Sequence, residues 1–106
     1  MKLAEARRLA LKLPEAEEAP HFDYTSFRVR KKIFATAPPS EDFLHVFVDD
    51  DAREQAIALH PEWIEKLWWG KKVLGVRVAL AAADKAVVAR LLQNAWRRKA
   101  PKTLHP

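Results

Sequence analysis

Three short stretches of this chain alternate in polarity or are apolar throughout: "TSFRVR" (25–30), "FLHVFV" (43–48) and "VLGVRVAL" (73–80). Period-two alternation of β-branched and aromatic residues is the pattern of strands with one face buried. "FLHVFV", apolar at nearly every position, suits a central strand or one covered on both faces. If Phe27 and Val29 point to the core, the pleat sends Arg28 and Arg30 to the other side. By the same rule Leu44, Val46 and Val48, and Leu74, Val76, Val78 and Leu80, face the core. Phe43, His45, Phe47 and Arg77 then stand on the opposite face.

The segments between them read as helices and turns. Residues 2–13 place Leu3, Ala6, Leu9, Ala10 and Leu13 on one helical stripe, and Pro14 closes it. The polar stretch "PEAEEAPHFDY" leads to the first strand, Lys31 and Lys32 form a turn, and "IFATA" is the second strand. "PPSED" is a break, because proline cannot serve a central ladder. Asp49, Asp50 and Asp51 precede "AREQAIAL", where carboxylates meet the free N–H groups of a helix start. "EWIEKLWWGKK" reads as a short turn and the edge of a strand. Asp84 opens a final helix, in which Val87, Val88, Leu91, Leu92, Ala95 and Trp96 share one face while Arg90, Arg97, Arg98 and Lys99 lie outside it. The expected architecture is a single two-layer α+β domain in α-β-β-β-α-β-β-α order. It has an antiparallel sheet of about five strands and three helices on one face.

Composition excludes several classes of function. A chain of 106 residues is one domain, and without cysteine it has no disulfide, thiolate metal site or cysteine nucleophile. The longest uncharged stretch, near "VALAAA", is far short of the ~20 residues of a membrane span. "MKLAEARRLALKL" carries charges throughout, unlike a secretory signal. The expectation is a cytoplasmic protein, a monomer or weak homodimer, with no membrane partner. His21, His45, His60 and His105 are widely spaced, so no metal site is expected, and the Asp49–Asp51 run lacks the spacing of a calcium loop. Ser26 and Ser40 are the only serines and sit in no nucleophile context. His21 with Asp23 is a chance spacing, and Gly70 and Gly75 make no phosphate loop. Neither catalysis nor a cofactor is expected.

The net charge of +5 is unevenly placed. Residues 28–32 hold four bases and no acid, residues 41–62 hold seven acids against Arg53, and residues 86–106 are basic with no acid. Arg28, Arg30, Lys31, Lys32 and Arg77 are therefore the candidate nucleic-acid contacts, beside aromatics on which bases stack. The alternative is a protein- or small-ligand-binding module that uses an apolar sheet face built from Phe43, His45, Phe47, Trp68 and Trp69. Trp68 and Trp69 are adjacent, so on a strand they point to opposite faces, and one of them lines a groove or interface. Trp96 is expected in the core, and the favoured reading of the Trp68–Trp69 pair is ordinary packing against the middle helix.

"LALKLPEAEEAPHFDYTSFRVRKKIFATA" resembles the opening of the MmcQ/YjbR family. The shared features are a helix ending in Leu-Pro, an acidic stretch, His followed by an aromatic, and a Ser-Phe-Arg-Val strand turning into Lys-Ile-Phe-Ala. "VRVALAAADKAVVARLLQNAWRRKAP" resembles the family's closing strand and helix, and the likeness covers nearly the whole chain. It implies an α+β fold akin to bacterial frataxin (CyaY) and secretion chaperones, and a bacterial protein of the kind commonly labelled DNA-binding. It implies no reaction and no set of contact residues. The doubled Lys31-Lys32 departs from the pattern of many relatives, which place a glycine there.

Overall fold

The computed structural model describes residues 1–105. Its elements are α1 (Leu3–Leu11), β1 (Ala16–His21), β2 (Tyr24–Val29), β3 (Lys32–Ala37), β4 (Phe43–Val46), α2 (Asp50–Leu59), β5 (Ile64–Trp69), β6 (Lys72–Ala79) and α3 (Lys85–Lys99). Every strand pairs antiparallel with its neighbours, in the order β1-β2-β3-β4-β6-β5. The helices follow the expected stripes. Leu3, Ala6 and Ala10 of α1 and all six expected residues of α3 are buried. One core cluster joins them to Phe27, Val29, Leu44, Val46, Val76, Val78 and Ala56, so all three helices lie on the same side of the sheet.

Side-chain caps fix where two helices begin. The Asp49 carboxylate accepts from the Ala52 N–H (2.8 Å) and from the Asn94 amide (3.0 Å), while the Asp49 N–H donates back to Asn94 (3.0 Å). These bonds hold the Asp49 carboxyl below its ordinary value, the Ala52 N–H most of all and Asn94 next. Asp84 caps α3 through the Val87 N–H at 3.1 Å. Trp96, 1% exposed, packs from α3 into the core and satisfies its ring N–H on the Pro14 carbonyl at 2.9 Å.

The structure departs from the sequence expectation in four places. The stretch 16–21, read as a polar connection, is the edge strand β1. It tolerates two glutamates and Pro20 because its outer edge needs no partner. The hairpin turn is Arg30-Lys31, not Lys31-Lys32. Val29 pairs with Lys32, and both turn residues adopt positive φ, 49° and 68°. That is the left-handed geometry a two-residue hairpin demands, met here without glycine. Leu74 does not face the helices. It is the bulge residue between the pairs Leu67–Gly75 and Trp68–Val73, and it is 39% exposed. Next to it β6 runs so close to β4 that a Cβ on Gly75 would lie 2.2 Å from the Val46 carbonyl oxygen. Finally, Trp68 and Trp69 do not pack away against the middle helix, since both are exposed.

Candidate functional site: the helix-free sheet face

The residues that alternate with the core residues form the uncovered face. Arg77 of β6 lies between His45 of β4 and Glu65 of β5 in register. Its guanidinium sits 3.6 Å from the centroid of the Phe43 ring and donates to Glu65 at 3.0 Å. Such stacking on an aromatic face fixes the plane of the guanidinium. His45 is half-buried, with Thr36 beside it in register and the Tyr24 ring centroid 6.1 Å away. Burial and the adjacent Arg77 cation both hold the His45 imidazole below its ordinary pKa, burial more strongly. Phe43 and Phe47 are half-buried on this face, as the alternation predicts.

The five cations singled out in the sequence do not form one patch. Arg28 is on the uncovered face, where it donates to the Ser26 hydroxyl (2.9 Å) and the Pro20 carbonyl (3.2 Å) and so lies along β1 and β2. It is three strands from Arg77, about 14 Å at the usual spacing of strands. Arg30 sits in the hairpin turn and makes a two-point ion pair with Glu15, at 2.7 and 3.0 Å. Lys31 and Lys32 are exposed beside it.

Sequence reasoning missed two things. The first is a groove of about 970 Å³. Its walls are the β1–β2 turn, with His21, Phe22 and Asp23, and the β5–β6 hairpin, with Trp68, Trp69, Lys72 and Leu74. Ile33, Thr36, His45, Phe47 and Leu67 line the space between. These two hairpins occupy diagonally opposite corners of the sheet, and the twist of a sheet curls such corners toward the same face. Phe22 (93% exposed), Trp69 (73%) and Trp68 (58%) crown the walls. The second is a sorting of charge along the strand direction. Antiparallel pairing throughout puts the Arg30-Lys31 turn and the Gly70-Lys71 turn at the same end of the sheet. The end of α3 is there too, since Arg98 donates to the Phe47 carbonyl just beyond β4. That end gathers Lys31, Lys32, Lys71, Lys72, Arg97, Arg98 and Lys99. The opposite end holds Asp23, Glu41, Asp42, Glu62 and Asp84 against Lys2 and Lys85. The Asp49–Asp51 run lies at the basic end, where Asp49 caps α2 and Asp50 pairs with Arg53 at 2.7 Å. The signal for both features was present in "KLWWGKK", where three lysines surround two tryptophans.

Among the described residues, no group of three or more His, Asp or Glu side chains could hold a metal ion, and no helix is long and apolar enough to cross a membrane. The fold is thus a two-layer α+β domain with a bare, aromatic sheet face. A family model described as YjbR matches residues 11–98, and the chain belongs to the YjbR family. Among solved structures it is similar to the Deinococcus radiodurans protein DR2400, which carries the DUF419 family domain. The two share 22% identity and a TM-score of 0.75 over 90% of this chain and 75% of that one, a likeness of fold. A comparison with curated proteins finds no match.

Proposed function

We propose that the protein is a non-enzymatic binding module that takes single-stranded nucleic acid, DNA in the first instance, across its helix-free sheet face. The observation that carries this reading is the β5–β6 hairpin. There Trp68 and Trp69 stand exposed on the wall of an aromatic groove, with Lys66, Lys71 and Lys72 around them. Base stacking on exposed rings is worth roughly 1–3 kcal/mol per base and tolerates any sequence, while lysines meet the phosphates. Lys31 and Lys32 lie at the same end of the sheet and extend the cationic rim. The arginines have a smaller part than sequence alone predicts, because Arg30 and Arg77 already have carboxylate partners. The groove opens onto a sheet, and no helix projects from it, so the expected mode is strand stacking and not insertion of a helix into a major groove.

The second reading is an apolar groove for a protein or small ligand. It is favoured by the internal engagement of Arg28, Arg30 and Arg77. Salt separates the two. Titration with labelled single- and double-stranded DNA at several salt concentrations should show a single-strand preference and an affinity that falls steeply with salt, by ~0.7 log units per log unit for each phosphate met. Binding that ignores salt points to the apolar reading, and no binding of either DNA form overturns the nucleic-acid reading.

A further inference from the structure

Beside the groove is a smaller pocket of about 450 Å³, where β4, β6 and β5 meet. Its chemistry differs from that of the groove. Tyr24, His45, Glu65, Lys66 and Arg77 all line it. Arg77 is held flat by Phe43 and engages Glu65 through one nitrogen, leaving further donors of its fork without a protein partner among the described residues. No side-chain hydrogen bond of the described residues engages the Tyr24 hydroxyl or the His45 ring, although both are half-buried. Side chains with unused donors that converge on one concavity, around a pre-oriented guanidinium, make an arrangement suited to an oxyanion.

We propose that this pocket binds a phosphate monoester. Once Glu65 swings aside, the Arg77 guanidinium makes the pocket cationic even with His45 neutral. A phosphate monoester near neutral pH carries close to two negative charges and three acceptor oxygens, which matches the guanidinium fork of Arg77 plus hydroxyl and imidazole donors. A carboxylate would use fewer of them. Glu65 is both the partner that aims Arg77 and the competitor that the ligand must displace. At 63% side-chain exposure it is able to swing into water. The monoester comes either from a free small molecule or from the phosphorylated end of a nucleic-acid strand lying in the adjoining groove. Only the strand-end source rests on the function proposed above.

The test is titration of the protein with adenosine 5′-monophosphate and with adenosine, followed through the ring-proton NMR signals of His45. The nucleotide should shift them saturably and the nucleoside should not. Arg77→Gln should weaken nucleotide binding about tenfold, the loss expected for one charge-assisted contact. Glu65→Gln should tighten it several-fold, an effect that a purely structural role of the Arg77–Glu65 pair does not produce. Arg90→Gln, on the solvent side of α3 in the helix layer, should leave it unchanged. Equal responses to nucleotide and nucleoside, or a nucleotide response indifferent to both Arg77→Gln and Glu65→Gln, would overturn the proposal. Paired oligothymidines with and without a 5′-phosphate separate the sources. A phosphate-dependent gain that Arg77→Gln abolishes assigns the strand end, and equal affinities alongside nucleotide binding assign a free ligand. Strand binding with no response to either phosphate probe overturns the pocket and leaves the groove reading intact. Nucleotide binding without strand binding does the reverse.

Discussion

The two faces of this sheet are made by the same strands, residue by residue in alternation, yet they are chemically opposite. On the covered face Phe27, Val29, Leu44, Val46, Val76 and Val78 have no exposed surface, and the helices fill the space above them. On the other face Phe43, His45, Phe47 and Arg77 are only half-buried, and Phe22, Trp68 and Trp69 stand in solvent. A fold that needs only one covered face gains little stability from large aromatics on the second. Large exposed apolar groups that cluster around a groove are the usual mark of a binding surface. The comparison therefore assigns stability to one face, the function proposed above assigns recognition to the other, and each assignment can be broken separately.

The largest expected effect lies on the covered face. Trp96→Ala should cost about 3–5 kcal/mol in a denaturant melt, as large-to-small changes in a packed core do, and it also leaves the Pro14 carbonyl without its donor. A cost below about 1 kcal/mol would break the assignment of that face. Gly75→Ala comes next. Its new methyl group meets backbone atoms of Val46 and Phe47, which cannot rotate away, so a loss of roughly 1–3 kcal/mol is expected. A neutral result would mean that β4 and β6 separate easily at the bulge.

Asp49→Ala should cost about 1 kcal/mol by removing the cap of α2. The sign with pH follows from the lowered pKa of Asp49. Its contribution is fully present above the ordinary carboxylate pKa and is lost as pH falls through the lowered, folded-state value. The difference between wild type and Asp49→Ala should therefore shrink in acid, and a difference that grows in acid would contradict the capping role. The smallest effect is at the hairpin. Lys31→Gly should stabilise by up to about 1 kcal/mol, because glycine accepts the 68° φ without the crowding of a side chain. A destabilised variant would show that Lys31 makes contacts that outweigh the strain.

What the sequence made legible follows the same division. The covered face obeys strict periodicities, and the buried stripe of α3 and the placement of Leu44, Val46 and Val48 were readable in full. Bulges were not. Leu74 leaves its expected face because of a register shift opposite Leu67–Trp68, and periodicity carries no information about where a strand gains a residue. The strand β1 was hidden because an edge strand is free to hold glutamates and a proline. Of the uncovered face, Phe43, His45, Phe47 and Arg77 were placed by alternation. The groove was not, because it arises from the twist that brings the Phe22 and Trp68 corners together, and its partners are distant in sequence.

The most direct test of the division is one double variant, Trp68→Ala with Trp69→Ala, measured for both stability and binding to single-stranded DNA. Two exposed residues should change the unfolding free energy by no more than about 0.5 kcal/mol each. The loss of two stacking rings should weaken binding by at least about tenfold, with the salt dependence unchanged because no phosphate contact is removed. A variant that binds DNA as tightly as wild type while losing several kcal/mol of stability would contradict the account, since it would make the tryptophan hairpin part of the core and not of the binding face.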